Sequence, residues 1–173
     1  HRMNLIIRRK LKRAYPINIC RMEKILINTD VVLDFFYDRM PHSEYATQVI
    51  GLCETGKIQG FITPVICSNL YYLLRRTARH KKVIDNLKQL LMILDVLSMD
   101  NEIVKNALNS RFKDFEDALQ NFAAIKYGEI DVILTRNLKD YSKSEIGVLS
   151  PEAYLKSYGM IEKQIPPSSG NAL

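Results

Sequence analysis

Short aliphatic runs that alternate with longer amphipathic segments constrain this chain more than any other feature of its sequence. Lys24-Ile25-Leu26-Ile27 reads as a buried strand, as do Gln59 to Thr63, Asp131 to Thr135 and Gly147 to Leu149. Asp95-Val96-Leu97 is a further short candidate. Helical patterns lie between them. Val31 to Tyr37 follows Asp30, which is available as its N-cap. Ser43-Glu44 opens a helix that ends near Gly56. Pro64 suits the first turn of a helix reaching about His80. Ile84, Leu87, Leu91 and Leu94 recur at helical spacing. Asp100 caps a helix through Leu108, Asp114-Phe115-Glu116-Asp117 opens one that closes at Gly128, and Pro151-Glu152 starts the last. This order predicts an α/β fold, a three-layer α/β/α sandwich around a mostly parallel, roughly five-stranded sheet with right-handed crossovers. Functional groups in such a fold gather beyond the carboxyl ends of the strands.

Charge is unevenly spread. The chain of 173 residues carries a formal +6. Residues 1–21 hold Arg2, Arg8, Arg9, Lys10, Lys12, Arg13 and Arg21 and no acid, so everything after them sums to −1. The basic character therefore belongs to the leader and gives no argument about what the domain binds. Met22 sits just before the first strand, and the expected organisation is a basic extension over 1–21, a domain over 22–158 and a flexible tail over 159–173. No signal-peptide pattern and no run long enough for a membrane span is present, and a cytoplasmic protein is expected. Cys20, Cys53 and Cys67 are scattered, which argues against a disulfide framework or a structural zinc site.

Polar residues follow the strands in a suggestive order. Asn28, Thr29 and Asp30 come after the first, Asn69 one turn into the helix after the second, and Thr135, Arg136, Asn137 and Asp140 after the fourth. Asp114, Glu116 and Asp117 open the helix before that fourth strand. Taken singly, most are better read as caps or turns: Asp114 and Asp117 have capping-box spacing, and Asn137 to Asp140 suits a polar turn. Together they place several carboxylates at one sheet edge. Such carboxylates repel unless a cation lies among them. A hard divalent ion takes carboxylate and water ligands and can activate water for attack on a phosphodiester.

Five blocks carry a family resemblance. They are Ile-Leu-Ile-Asn-Thr-Asp-Val-Val-Leu-Asp-Phe-Phe (25–36), Asn-Leu-Tyr-Tyr-Leu-Leu-Arg-Arg (69–76), Asp-Phe-Glu-Asp-Ala-Leu-Gln (114–120), Ile-Leu-Thr-Arg-Asn-Leu-Lys-Asp-Tyr (133–141) and Val-Leu-Ser-Pro-Glu-Ala-Tyr-Leu (148–155). In this order the chain, from Met22 to Tyr158, resembles the PIN domain family, many of whose members are metal-dependent ribonucleases and toxins of toxin–antitoxin pairs. The resemblance implies a Mg²⁺- or Mn²⁺-dependent endoribonuclease, with RNA as substrate, a small antitoxin as partner and a homodimer as a possible assembly. It implies catalytic Asp30, Asp117 and Asp140, and a metal held by Asp30, Asn28, Asp117, Asp114 and Asn137. Family members usually carry acids where this chain has Asn28, Asn69 and Asn137. The site implied is thus about three charges less negative, with weaker metal affinity.

Arg75, Arg76, Arg79, Lys81 and Lys82, with His80, form a basic cluster. One reading is a solvated helix C-terminus favoured by the dipole; the other is a patch contacting nucleic-acid phosphates. The basic leader admits a similar choice between an appended extension and an arm touching RNA or a partner. Tyr71 and Tyr72 could stack on bases, but core packing is the favoured reading, and His42 and His80 are expected to lie at the surface. The absence of a Gly-rich phosphate loop disfavours a P-loop or dinucleotide-binding protein. A phosphoaspartyl enzyme is disfavoured because Asn28 stands where its nucleophile would be. The competing class is a PIN-fold module that binds RNA or a protein without cutting.

Overall fold

The computed structural model describes residues 21–164, with side chains described through Gly159. The elements are β1 (Lys24–Ile27), α1 (Thr29–Tyr37), α2 (His42–Glu54), β2 (Gln59–Ile62), α3 (Pro64–Leu74), α4 (His80–Leu90), β3 (Asp95–Val96), α5 (Asn101–Leu108), α6 (Phe115–Tyr127), β4 (Val132–Leu134), β5 (Gly147–Leu149) and α7 (Pro151–Gln164). The basic leader, apart from Arg21, and residues 165–173 lie outside the described residues.

All five strands are parallel, in the order β3-β2-β1-β4-β5. Successive strand side chains point to opposite faces. Ile25, Leu26 and Ile27 are nonetheless all buried, so both faces of the central strand are covered. The chain builds outward from β1 to β2 and β3, then returns to pair β4 on the other side of β1. That reversal opens a crevice above the carboxyl ends of β1 and β4. The register sets Ile27 beside Leu134, and the Asn28 N–H donates to the Leu134 carbonyl (2.9 Å), so the polar residues after the two strands meet.

Helix starts and stops follow local chemistry, with four departures from the sequence reading. The N-cap of α1 is Asn28, whose side chain accepts from Thr29 N; Asp30 lies inside the first turn. The helix opened by Pro64 stops at Leu74 instead of reaching His80. Thr77 Oγ1 donates to the Leu74 carbonyl (3.3 Å) and Arg75 Nη1 to the Ala78 carbonyl (2.6 Å), so a turn satisfies groups another helical turn would have used. The next helix starts at His80 and ends at Leu90, before the Leu91 and Leu94 that belong to the expected pattern. Lastly, α7 continues through Gly159 to Gln164, where a flexible tail was expected.

The α3–α4 hairpin matters for the site. α3 leaves the carboxyl end of β2, and α4 leads into β3, which pairs with Phe61 and Ile62 in the carboxyl half of β2. The Tyr37 hydroxyl, at the end of α1, donates to the Leu73 carbonyl at the end of α3 (2.8 Å). The start of the turn between α3 and α4 is therefore tied to the end of α1.

Gly60, in β2, shows how closely the sheet is overlaid. A Cβ there would lie 2.5 Å from Leu94 Cδ2 and 2.6 Å from Cys53 Sγ, and both neighbours are buried. Gly60→Ala is expected to lower the unfolding free energy by about 1–3 kcal/mol through overpacking, read from urea denaturation midpoints at unchanged slope.

Candidate active site

The crevice is organised by one hydroxyl. Thr135, fully buried at the end of β4, accepts from Asn28 Nδ2 (3.4 Å) and from Asn137 N (3.0 Å) and donates to Asp30 Oδ2 (3.2 Å). Its single proton and both lone pairs are used. Asp30 Oδ2 also accepts from Arg136 N (2.7 Å), and Asp30 Oδ1 accepts from Val31 N (2.9 Å). Asp30 thus clips the start of α1 to the loop after β4.

Asn28 Oδ1 accepts from Thr29 N (2.8 Å), and its Nδ2 donates to Asp117 Oδ1 (3.1 Å). Asp117 is buried in the first turn of α6, where Asp114 caps the helix by accepting from Asp117 N (3.1 Å). The neighbouring Glu116 accepts from Thr29 Oγ1 (3.0 Å). Asn137 Nδ2 donates to Asp140 Oδ2. Asn28, Asp30, Asp117, Asn137 and Asp140 are thereby linked, directly or through Thr135 and their charges, into one group. Asn69 sits half-buried in the second turn of α3, and no hydrogen bond joins it to the others among the described residues.

Burial pushes the Asp117 carboxyl up to about 6; the Tyr141 hydroxyl and Asn28 amide oppose the rise, and the charges of Asp114 and Asp140 add to it. Tyr141 lies buried beside Asp117 with its hydroxyl in no hydrogen bond of ordinary geometry, and burial followed by the Asp117 charge drives its own ionisation upward.

A second carboxylate went unnoticed in the sequence. Asp34 is 1% exposed on α1, and burial raises its pKa despite the Arg136 guanidinium beside it. Arg136 Nε meets Asp34 Oδ2 at 2.7 Å and lies 3.9 Å from Asp30 Oδ2. The signal available was spacing: Asp34 is four residues after Asp30, on the same face of a helix.

Residues 24–139 match the family model described as PIN domain. The chain belongs to the PIN domain family. It is 26% identical to Ribonuclease VapC1 of Aquifex aeolicus over 144 residues, which span 80% of this chain and 98% of that protein. Its fold is similar to that of VapBC2 from Rickettsia felis, solved bound to a promoter DNA fragment, with a TM-score of 0.56 at 12% identity over 73% of this chain and 98% of that one. It is also similar to PAE2754 from Pyrobaculum aerophilum, with a TM-score of 0.54 at 18% identity over 80% and 98%.

PIN ribonucleases of the VapC type generally use divalent metal ions, so the donor set needs testing against one. In kind it fits: Asp114, Asp117 and Asp140 are hard oxygen donors, and their mutual repulsion is what a cation relieves. It is not a ready-made cage. Among the described residues no three carboxylate, imidazole or thiol side chains are grouped closely enough to hold one ion. Asn28 presents its amide nitrogen to Asp117, since its oxygen serves the helix cap, and so offers no ligand atom as it stands.

The basic cluster of this PIN domain straddles a helix break. Arg75 and Arg76 follow α3, Arg79 precedes α4, and Lys81 and Lys82 occupy the first turn of α4. The dipole explanation fails for the two lysines, which sit at the positive end of their helix. Tyr72 is 67% exposed and lies under the Arg76 guanidinium at 5.5 Å, contrary to the expected core position; Tyr71 is half-buried and bonds to His80 Nδ1 (3.0 Å). His80 is exposed and His42 partly so, and Cys53 and Cys67 are unpaired thiols. No helix among the described residues is long and apolar enough to cross a membrane.

Two measurements probe these charges. Arg136→Met leaves the Asp34 carboxylate only the Arg39 guanidinium, 3.8 Å from its Oδ1, and a loss of about 2–3 kcal/mol is expected in urea at pH 7; adding Asp34→Asn should restore most of it. Asp117 takes up its proton more readily folded than unfolded, so its contribution is fully present below pH 4 and lost as pH rises through about 6. In chelator-treated buffer Asp117→Asn should therefore match wild type at pH 4. At pH 8 it should be more stable by on the order of 1–2 kcal/mol, less than the full shift because solvent reaches the neighbouring acids.

Proposed function

We propose that this PIN domain is an endoribonuclease that uses Mg²⁺ or Mn²⁺, acts in the cytoplasm, and forms the toxin half of a toxin–antitoxin pair. The observation that carries the reading is the hydrogen-bonded group of Asn28, Asp30, Thr135 and Asp117, capped by Asp114, at the carboxyl edge of β1 and β4 in a PIN chain that spans nearly the whole length of Ribonuclease VapC1. An ion recruited to this edge, with Asp117 as its central carboxylate and waters completing its shell, would supply an activated water and offset the charge that develops on the phosphate. The chain's own groups do the remaining work. Asp30 fixes the loop after β4, and Asp114 and Glu116 anchor the end of α6 that presents Asp117. Arg136, bound through Nε to Asp34, keeps that buried charge from adding to the repulsion.

Arg75, Arg76, Arg79, Lys81 and Lys82 are read as binding RNA phosphates, with exposed Tyr72 as a stacking surface. Their turn is tied to the end of α1, the helix that begins at Asn28, through Tyr37 and Leu73. A small antitoxin partner and a homodimer are proposed by analogy with the VapBC complexes of similar fold. The Asn28–Asp117 hydrogen bond favours one second reading, a module that binds RNA without cutting it, because it engages the central acid without an ion.

Single-stranded RNA incubated with wild-type protein should be cleaved internally in Mn²⁺ and spared in EDTA, and Asp117→Asn should lose on the order of a hundredfold in rate. RNA binding without metal-dependent cleavage would establish the second reading instead. Replacing Arg75, Arg76, Lys81 and Lys82 together by alanine should weaken RNA binding and flatten its salt dependence. The log–log slope should fall by about 0.7 for each phosphate that is no longer neutralised. An unchanged slope would remove the patch from the interface.

A further inference from the structure

Asn28 differs from a passive gap in an acidic site. Its amide has one satisfactory orientation. Oδ1 faces the Thr29 N–H, and Nδ2 faces Asp117 Oδ1 and Thr135 Oγ1. Turned over, it would set an oxygen against a carboxylate and a nitrogen against an N–H, losing the cap as well. The residue is 6% exposed, so water does not compensate for a lost bond. The positive end of the amide dipole therefore rests on Asp117 Oδ1, one of the two oxygens that carboxylate could offer a cation. Asn137 does the same to Asp140 at the more open side of the crevice.

We propose that Asn28 is a built-in attenuator of divalent-ion binding: its amide N–H competes with the ion for Asp117 Oδ1, so the site takes a metal weakly and keeps its shape without one. The proposal rests on the ion-site reading given above. Competition differs from a mere deficit of charge. A deficit is cured only by adding an acid, whereas competition is relieved by removing the N–H donor, even when no charge is added.

Two substitutions separate the cases, and each retains a side-chain oxygen able to cap α1. Asn28→Ser removes the N–H donor to Asp117, leaving only a hydroxyl one bond further back, and leaves the charge unchanged. Asn28→Asp removes the donor and adds a carboxylate against Asp117. Mn²⁺ binding is measured by calorimetry on the full chain, with thermal melts in EDTA and in Mn²⁺ to confirm folding. Expected is tighter Mn²⁺ binding for Asn28→Ser than for wild type, and tighter again for Asn28→Asp, on the order of tenfold per step. Asn28→Asp should also melt lower than wild type in EDTA and gain more on adding Mn²⁺. Serine binding no better than wild type, with aspartate alone tighter, overturns the attenuator and leaves charge as the cause. Wild type binding as tightly as Asn28→Asp overturns it while the ion site stands. If no variant binds Mn²⁺, or binding survives Asp117→Ala, the ion-site reading itself falls and takes the proposal with it.

Discussion

Everything at the carboxyl edge depends on the pairing of β1 with β4. Strands far apart in sequence are set in register by three Cα partners, Ile25 with Val132, Leu26 with Ile133 and Ile27 with Leu134. The next residue of each strand is then fixed without further choice. Asn28 and Thr135 arrive side by side as the sheet ends, and the helices entering above them bring Asp30 and Asp117 within hydrogen-bond reach. A slip of one position would turn each side chain to the opposite face and dissolve the group. Apolar burial selects the register, and the polar site is its by-product.

The electrostatic problem created there is solved twice, by different means. Asp34 is almost completely removed from water, and a guanidinium from the far side of the crevice meets it. Asp117 is buried among acids with no cation beside it, and an amide dipole and a raised pKa share the load. The first solution is a closed ion pair. The second leaves a carboxylate whose charge is only partly answered, which is the condition under which a group remains available for chemistry.

Much of this was legible in the sequence because it follows from local pattern. The β-branched run at 24–27, the Pro at 64 and the Asp114-x-x-Asp117 spacing each announce an element or its end, and the strand–helix alternation gives the parallel sheet. What was not legible depends on orientation or on partners distant along the chain. Which atom of Asn28 faces Asp117 is settled by competition between a helix cap and a carboxylate. Whether Arg136 answers Asp30, Asp34 or neither is decided by the crossing of α1 over the loop after β4. The break after Leu74 hides in side-chain bonds from Arg75 and Thr77, residues that favour a helix about as well as they end one. Tyr72 was misplaced for a related reason: an aromatic beside apolar neighbours looks like core until the helix phase is known.

The shared hydroxyl of Thr135 has a consequence for how the site exists in time. Its N–H bonds to the Leu149 carbonyl of β5, while its Oγ1 serves Asn28, Asp30 and the loop that carries Asn137. One residue thus belongs at once to the sheet's hydrogen-bond ladder and to the crevice. Asn28, Asp30 and the Asn137 loop are thereby referred to a residue whose position is set by the sheet. The anchor shared by Asn28, Asp30 and the Asn137 loop exists only once β4 has docked between its neighbours, and it is lost when β4 leaves. A nascent chain that ends before β4 already carries Asn28, Asp30, Asp114 and Asp117 but lacks the Thr135 hydroxyl that ties Asn28 to Asp30.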